Sequence, residues 1–231
     1  MYYFRDANER GRANFGWLDS KHSFSFGNYY APEHMGFSAL RVINDDTVKP
    51  SAGFGTHGHR DMEIISYVLE GAIEHKDSMG KKYIVPAGDI QRMSAGTGVT
   101  HSEFNHSKSD PLRFLQIWIQ PNQKGITPHY DQKTVVQQGA LTALVTSDGR
   151  NGSLSMQQDA NLFRLQLKAG EEVQLNTSSR PGYLHIIEGC VDVNNNRLKS
   201  GDALGAFQEQ LNVNAQTELT ALWFDLPKGG G

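Results

Sequence analysis

Apolar residues along this chain fall into short runs. Clear examples are Ile64-Ile-Ser-Tyr-Val-Leu69, Tyr83-Ile-Val85, Leu112-Arg-Phe-Leu-Gln-Ile-Trp-Ile119 and Tyr183-Leu-His-Ile-Ile187. Each is rich in β-branched and aromatic residues and is closed by Gly, Pro, Asn or Asp, which is how strands ending in turns read. No long segment keeps an unbroken 3.6-residue apolar period, so amphipathic helices are not expected. Many short strands separated by turns predict an all-β chain folded as sandwiches or barrels.

The pattern also repeats. Val68-Leu-Glu-Gly71 is echoed by Ile186-Ile-Glu-Gly189, and Ala87-Gly-Asp89 by Ser200-Gly-Asp202. A hairpin loop shortened in the second copy reconciles the spacings, because loops absorb length changes cheaply. The repeat predicts two similar β domains, residues 1–134 and 135–231, with Pro121–Pro128 as a surface connection. Lys228-Gly-Gly-Gly231 reads as a frayed end.

Composition narrows the class. Of 231 residues, 38% are hydrophobic and 20% charged, which suits a globular chain. No run approaches the ~18 apolar residues of a membrane span, and the first ten residues turn polar too soon for a signal peptide. A net charge of −3 argues against nucleic acid or an anionic membrane as partner. The single cysteine, Cys190, makes no internal disulfide, so a cytoplasmic protein is expected.

The candidate chemistry lies in the first half. On a strand, residues i and i+2 face the same way. His57-Gly-His59 therefore aims two imidazoles at one face, and His101-Ser-Glu103 repeats the spacing with a carboxylate. On neighbouring strands the two segments would gather three nitrogens and one anionic oxygen, a donor set for a divalent first-row metal. Two exposed strand histidines are the plainer reading of either pair alone. His22, His34, His75, His106 and His129 lack such pairing and read as surface or hydrogen-bonded structural residues. Gly53-Phe-Gly-Thr-His-Gly58 spells a dinucleotide fingerprint but precedes a strand, not a helix.

His57-Gly-His-Arg-Asp-Met-Glu63 with Tyr67-Val-Leu-Glu-Gly71 resembles the first cupin motif, and Gly80 with Pro86-Ala-Gly88 the second. More narrowly, the chain resembles the pirin family of bicupins. That resemblance rests on Gly16-Trp17, Phe24-Ser-Phe26, Gly36-Phe-Ser-Ala-Leu-Arg-Val42, and Ser94-Ala-Gly-Thr-Gly98 leading into His101-Ser-Glu103. It implies two tandem cupin barrels of jelly-roll type and one divalent ion per chain, Fe(II), held by His57, His59, His101 and Glu103. Gln91 stands where the general cupin histidine would be. Glu63 matches the usual cupin glutamate and is expected to accept an imidazole N–H or to form a salt bridge.

The resemblance further implies a dioxygenase that opens a flavonol such as quercetin with loss of carbon monoxide, Glu103 acting as base. Its alternatives are a non-enzymatic redox-sensing regulator working through protein partners, or a cupin activity on another phenol or enediol. The donor set by itself does not select iron over nickel, cobalt, manganese, copper or zinc. Two fused barrels already supply the pairing that single cupins gain by dimerising, so a monomer is expected.

Registering the second repeat on the first by Gly189 puts Leu175 and Thr177 where His57 and His59 stand. Registering it by Gly201 puts Asn214 and Gln216 where His101 and Glu103 stand. No ligand survives, and a metal-free, structural second domain is expected. His185 aligns with Tyr67, a core strand position.

Overall fold

The computed structural model describes residues 1–80 and 82–229; Gly230 and Gly231 of the expected frayed end lie outside the described residues. In the first half the strands are β1 (Tyr2–Arg5), β2 (Gly11–Asn14), β3 (Leu18–His22), β4 (Leu40–Val48), β5 (Gly53–His59), β6 (Glu63–Glu70), β7 (Ala72–Asp77), β8 (Lys82–Pro86), β9 (Asp89–Ser94), β10 (Val99–Asn105), β11 (Leu112–Ile119) and β12 (His129–Thr134). In the second they are β13 (Leu141–Thr146), β14 (Leu154–Ser155), β15 (Asn161–Leu167), β16 (Glu172–Asn176), β17 (Gly182–Glu188), β18 (Cys190–Val193), β19 (Asn196–Lys199), β20 (Ala203–Ala206), β21 (Gln210–Ala215) and β22 (Leu219–Asp225). A single 3-10 turn, Arg150–Gly152, is the one helical element among the described residues.

Each half is a barrel made of a large and a small sheet. The first combines β12-β9-β6-β11-β4-β3-β2 with β5-β10-β7-β8; the second combines β1-β20-β17-β22-β15-β13-β14 with β16-β21-β18-β19. The order β9-β6-β11 recurs as β20-β17-β22, and β5-β10-β7-β8 recurs as β16-β21-β18-β19. The duplication read from the glycine turns is thus a duplication of the whole barrel frame: two tandem cupin barrels.

β1 lies at the edge of the second barrel's large sheet, with Tyr2 opposite Ala206 and Arg5 opposite Ala203. Side-chain alternation fixes it there. Tyr2 joins the second barrel's interior, while Tyr3 turns to the other face and packs on Phe24, Phe37 and Tyr183. Arg5 is buried and donates to Ser23 O at 2.7 Å and to the Tyr29 hydroxyl at 2.8 Å.

The two large sheets face each other across one shared apolar cluster. Ile43, Ile65, Tyr67, Leu115 and Ile117 come from one side, and Leu144, Leu162, Leu222 and Phe224 from the other. A charged group is buried at its margin: Arg113 makes a two-bonded contact with Asp45 at 2.9 and 3.0 Å, and Arg10 stands 3.7 Å from the same carboxylate. Burial opposes charge on Asp45, but Arg113 and Arg10 hold its carboxyl below the ordinary value. His185 lies among these groups, and burial, with Arg10 nearby, pushes it down to about 3.

The barrel interiors differ. The second is filled by one continuous cluster, including Leu175, Leu184, Val193, Leu211, Val213 and Trp223. The first is split in two: Leu18, Val48, Val68, Ile73 and Phe114 form one group, and Ile64, Met93, Val99 and Tyr130 another. Between them runs a band of buried polar residues, among them Asn44, Asp46, Ser66, His75, Gln91, His101 and Glu103. A buried polar layer costs stability unless each group is bonded or ligating, so this band is where function is sought.

Candidate metal centre

β5 and β10 pair antiparallel with His57 opposite His101, but the register slips before Glu103, which stands opposite Phe54. A bulge of this kind re-aims side chains. It turns the alternating residues of both strands into the barrel at one level. Gly53 makes the approach feasible: a Cβ there would lie 2.4 Å from both Glu103 O and Phe104 Cα. Gly53→Ala is expected to push β10 away, costing about 1–3 kcal/mol of stability and weakening metal binding. Urea unfolding and a metal titration of the variant check both effects.

The three imidazoles crowd together, with ring centroids 4.8 Å apart for His57–His59, 4.4 Å for His57–His101 and 4.9 Å for His59–His101. His57 Nδ1–H donates to Gly55 O at 2.8 Å, which fixes the tautomer and leaves Nε2 free. His59 Nε2 and His101 Nε2 face each other at 3.0 Å. His101 is 1% exposed, and its Nδ1 has no hydrogen-bond partner among the described residues. Burial and the neighbouring imidazoles push His59 down to about 4 and His101 to about 3. His59 and His101 are therefore neutral at physiological pH, the form that offers lone pairs to a cation.

Glu103, 3% exposed, accepts from Ser66 Oγ at 3.1 Å and from Gln116 Nε2 at 2.8 Å. One nitrogen from each of His57, His59 and His101 lies within 4.8 Å of the others, and the same holds for His75, His101 and Glu103. The sequence-predicted ligands are thus brought to one place, in two overlapping trios that share His101. Crowded imidazoles with an orphaned buried nitrogen fit a metal ion and have no evident purely structural use.

His75 differs from expectation. It is fully buried and belongs to the second trio, paired by its Nε2 to Asp77 Oδ2 at 3.2 Å. Its signal was present in the chain: His75-Lys-Asp77 has the same i, i+2 spacing as His101-Ser-Glu103. The other histidines lie apart from this cluster. His34 bonds the Tyr3 hydroxyl at 2.7 Å, His106 lies 3.6 Å from Glu74, and His129 contacts Arg92 at 3.1 Å. Glu63 instead accepts from Ser94 Oγ at 2.9 Å, with the charge of Arg92 nearby.

Three of the four matching positions in the second barrel are apolar, the fourth being Thr177, and β21 lies three residues from the register expected. Leu175 stands opposite Leu211, and Val193 opposite Val213. The counterparts of His101 and Glu103 are therefore Leu211 and Val213, not Asn214 and Gln216. The stretch from Gly201 to Leu211 is three residues shorter than that from Gly88 to His101, so registering by Gly201 overshoots. The second barrel also pairs these two strands without the bulge.

Beside the cluster, β5 and β2 are edge strands of the two first-barrel sheets, and residues of both, with β3, line a cavity of about 460 Å³. Phe15, Leu18, Phe26, Tyr29 and Phe54 line it, with Ser20, His22, Asn44 and Asp46 as a polar wall. The size suits a small organic ligand. Phe26 packs on Trp118 at 5.3 Å and Trp118 on His59 at 5.1 Å, so the cavity wall reaches the imidazoles through one ring. Burial, with Asp45 and Glu103 nearby, raises Asp46 to about 7 despite its bond from Ser20. A larger depression of about 750 Å³ on the second barrel, around Lys168 and Glu171, is open and borders none of these side chains.

These shifts give the metal-free protein a pH-dependent stability. His59, His101 and His185 protonate near pH 6.5 when unfolded but only near pH 4 to 3 when folded. The unfolded chain takes up protons first, so stability falls as pH drops through that window. Asp46 acts oppositely, keeping a proton in the fold that the unfolded chain loses above ~3.9, and it offsets one of the three. Urea unfolding should give a lower stability at pH 5 than at pH 7. His185→Leu should remove about 1.4 kcal/mol per pH unit from that slope.

Comparison with known proteins agrees with the geometry. Residues 3–119 match the family described as pirin, and residues 143–226 match that described as the quercetinase C-terminal cupin domain. A protein of Escherichia coli (strain K12) named quercetin 2,3-dioxygenase is 48% identical over 229 residues, covering 98% of this chain and 99% of its own. The Pasteurella multocida relative named putative quercetin 2,3-dioxygenase PM1685 is 40% identical over 233 residues, 98% of this chain and 100% of its own. The crystal structure of bacterial pirin YhhW from Escherichia coli in complex with nickel(II) superposes with a TM-score of 0.95 at 48% identity, covering 98% of this chain and 99% of that one.

Proposed function

The chain belongs to the pirin family, and on that premise we propose that it is a metal-dependent dioxygenase that cleaves a flavonol such as quercetin with release of carbon monoxide. The observation that carries this reading is the convergence of three imidazoles, with Glu103 joined to them through the shared His101, beside an aromatic-walled cavity of about 460 Å³. The relatives' names support it, and the nickel held by YhhW supports a divalent ion here. His57, His59, His101 and Glu103 hold one such ion per chain, Fe(II) in the cell. That ion supplies the Lewis acidity and the redox access to dioxygen that an organic substrate lacks.

The chain's own residues do the rest. Phe54 and Phe26 give a flat aromatic substrate its apolar surface, and Trp118 backs Phe26. Glu103, held between Ser66 and Gln116, takes the proton of the acidic 3-hydroxyl as general base. Asp46, raised to about 7, keeps a proton part of the time at neutral pH and donates it in a hydrogen bond to a second substrate oxygen. Residues 135–231, completed at one sheet edge by β1, form the metal-free partner barrel, whose apolar interior backs the shared sheet interface. The protein acts as a cytoplasmic monomer on a small molecule, with no nucleic acid or membrane partner; no helix among the described residues is long and apolar enough to cross a membrane.

Anaerobic titration of the metal-loaded protein with quercetin tests this. The absorption band of the flavonol should move to that of its anion at one equivalent per chain, and Phe54→Ala should weaken binding about tenfold or more. Binding that ignores both metal loading and Phe54 would contradict the assignment.

A further inference from the structure

The polar band contains a buried imidazole that the four-ligand centre does not use. We propose that His75 is a fifth donor to the same ion, held in place by Asp77; this rests on the metal-centre reading. β7 lies against β10 with His75 opposite Glu103 and Asp77 opposite His101. Both side chains, His75 and Asp77, are fully shielded from solvent.

The hydrogen bonding of His75 is that of a ligand. Its Nε2–H donates to Asp77 Oδ2 at 3.2 Å, and Asp77 is itself held by the Met79 N–H at 2.9 Å on Oδ1. The lone pair is thereby left on Nδ1, which is buried and has no hydrogen-bond partner among the described residues. A carboxylate that fixes one ring nitrogen while the other is kept bare is the arrangement found behind metal-bound histidines. The His75, His101 and Glu103 donor atoms all lie within 4.8 Å of one another, so an ion touching the latter two is a neighbour of His75.

The second barrel gives an independent observation. There the counterpart of His75 is Val193, buried among the apolar counterparts of the ligands. A histidine needed for the frame alone would have no reason to be replaced together with the metal donors. With His75 in the set, the donor count does not fall below four when Glu103 is drawn off by a proton.

Cobalt(II)-loaded full-length protein tests this by proton NMR. Each coordinated imidazole contributes one strongly shifted, solvent-exchangeable ring N–H. Four such resonances are expected, with one lost in His75→Gln and cobalt affinity lowered about tenfold or more, within the range seen when a metal site loses a supporting group. Asp77→Asn should move the same resonance without removing the others. Three resonances in both the parent and His75→Gln, with equal affinity, would overturn the proposal. No shifted resonance at all would overturn the metal centre itself, and the proposal with it.

Discussion

His101→Leu is expected to give a folded chain that binds no metal and turns over no flavonol. His101 belongs to both donor trios, so its loss leaves neither complete. Losing the ion removes several kcal/mol of transition-state stabilisation, a fall in turnover of about 10³-fold or more. The fold should survive because the same frame already carries leucine here: Leu211 occupies the matching position in the second barrel and is fully buried. The buried imidazole makes no hydrogen bond through Nδ1, so leucine removes an unsatisfied polar group and adds apolar contact. The metal-free variant should melt no lower than the metal-free parent. Metal analysis, flavonol turnover and thermal unfolding check the three parts; a variant that fails to fold would show that the second barrel is a poor guide to the first.

Glu103→Gln should cut kcat by about 10²–10⁴-fold, the range for loss of a general base, while leaving bound metal at reduced affinity. The three imidazoles remain, and the amide fills the same space between Ser66 and Gln116. One contact is upset, since Gln116 Nε2 donates to Glu103 Oε2 at 2.8 Å and an amide nitrogen there could not accept. Rotation of the new amide, with Ser66 accepting instead, limits the cost to about 1 kcal/mol. The loss should fall on kcat more than on KM, because the aromatic walls that bind the substrate are untouched. Unchanged turnover in a metal-replete variant would remove Glu103 from the base role.

Much of this was legible in the chain. Short strands with glycine turns announced the barrels, and the paired glycines announced their duplication. The i, i+2 spacing placed His57 with His59 and His101 with Glu103 on common strand faces, since side-chain alternation is a local property. His75 carries the same local signal with Asp77, but beside it stand Glu74 and Lys76, surface-type charges that make the segment read as solvated. Two features depended on information no local pattern holds. β1 pairs with β20, about two hundred residues away, and nothing in Tyr2–Arg5 names that partner. The register of β21 depends on a stretch from Gly201 to Leu211 three residues shorter than its counterpart, and an odd-numbered error there moves every side chain to the other face. The cavity was equally hidden, because β2, β3 and the loop that follows reach β5 only through the closing of the barrel.

Under the proposed function, His57, His59, His101 and Glu103 form a metal centre that oxygenates a flavonol. The most direct measurement is anaerobic reconstitution with Fe(II), metal analysis, and then quercetin turnover on admitting oxygen, with carbon monoxide counted. One ion per chain and one carbon monoxide per flavonol consumed, both absent in His101→Leu, are the predicted result. A fully loaded protein that consumes no flavonol and releases no carbon monoxide would contradict the account.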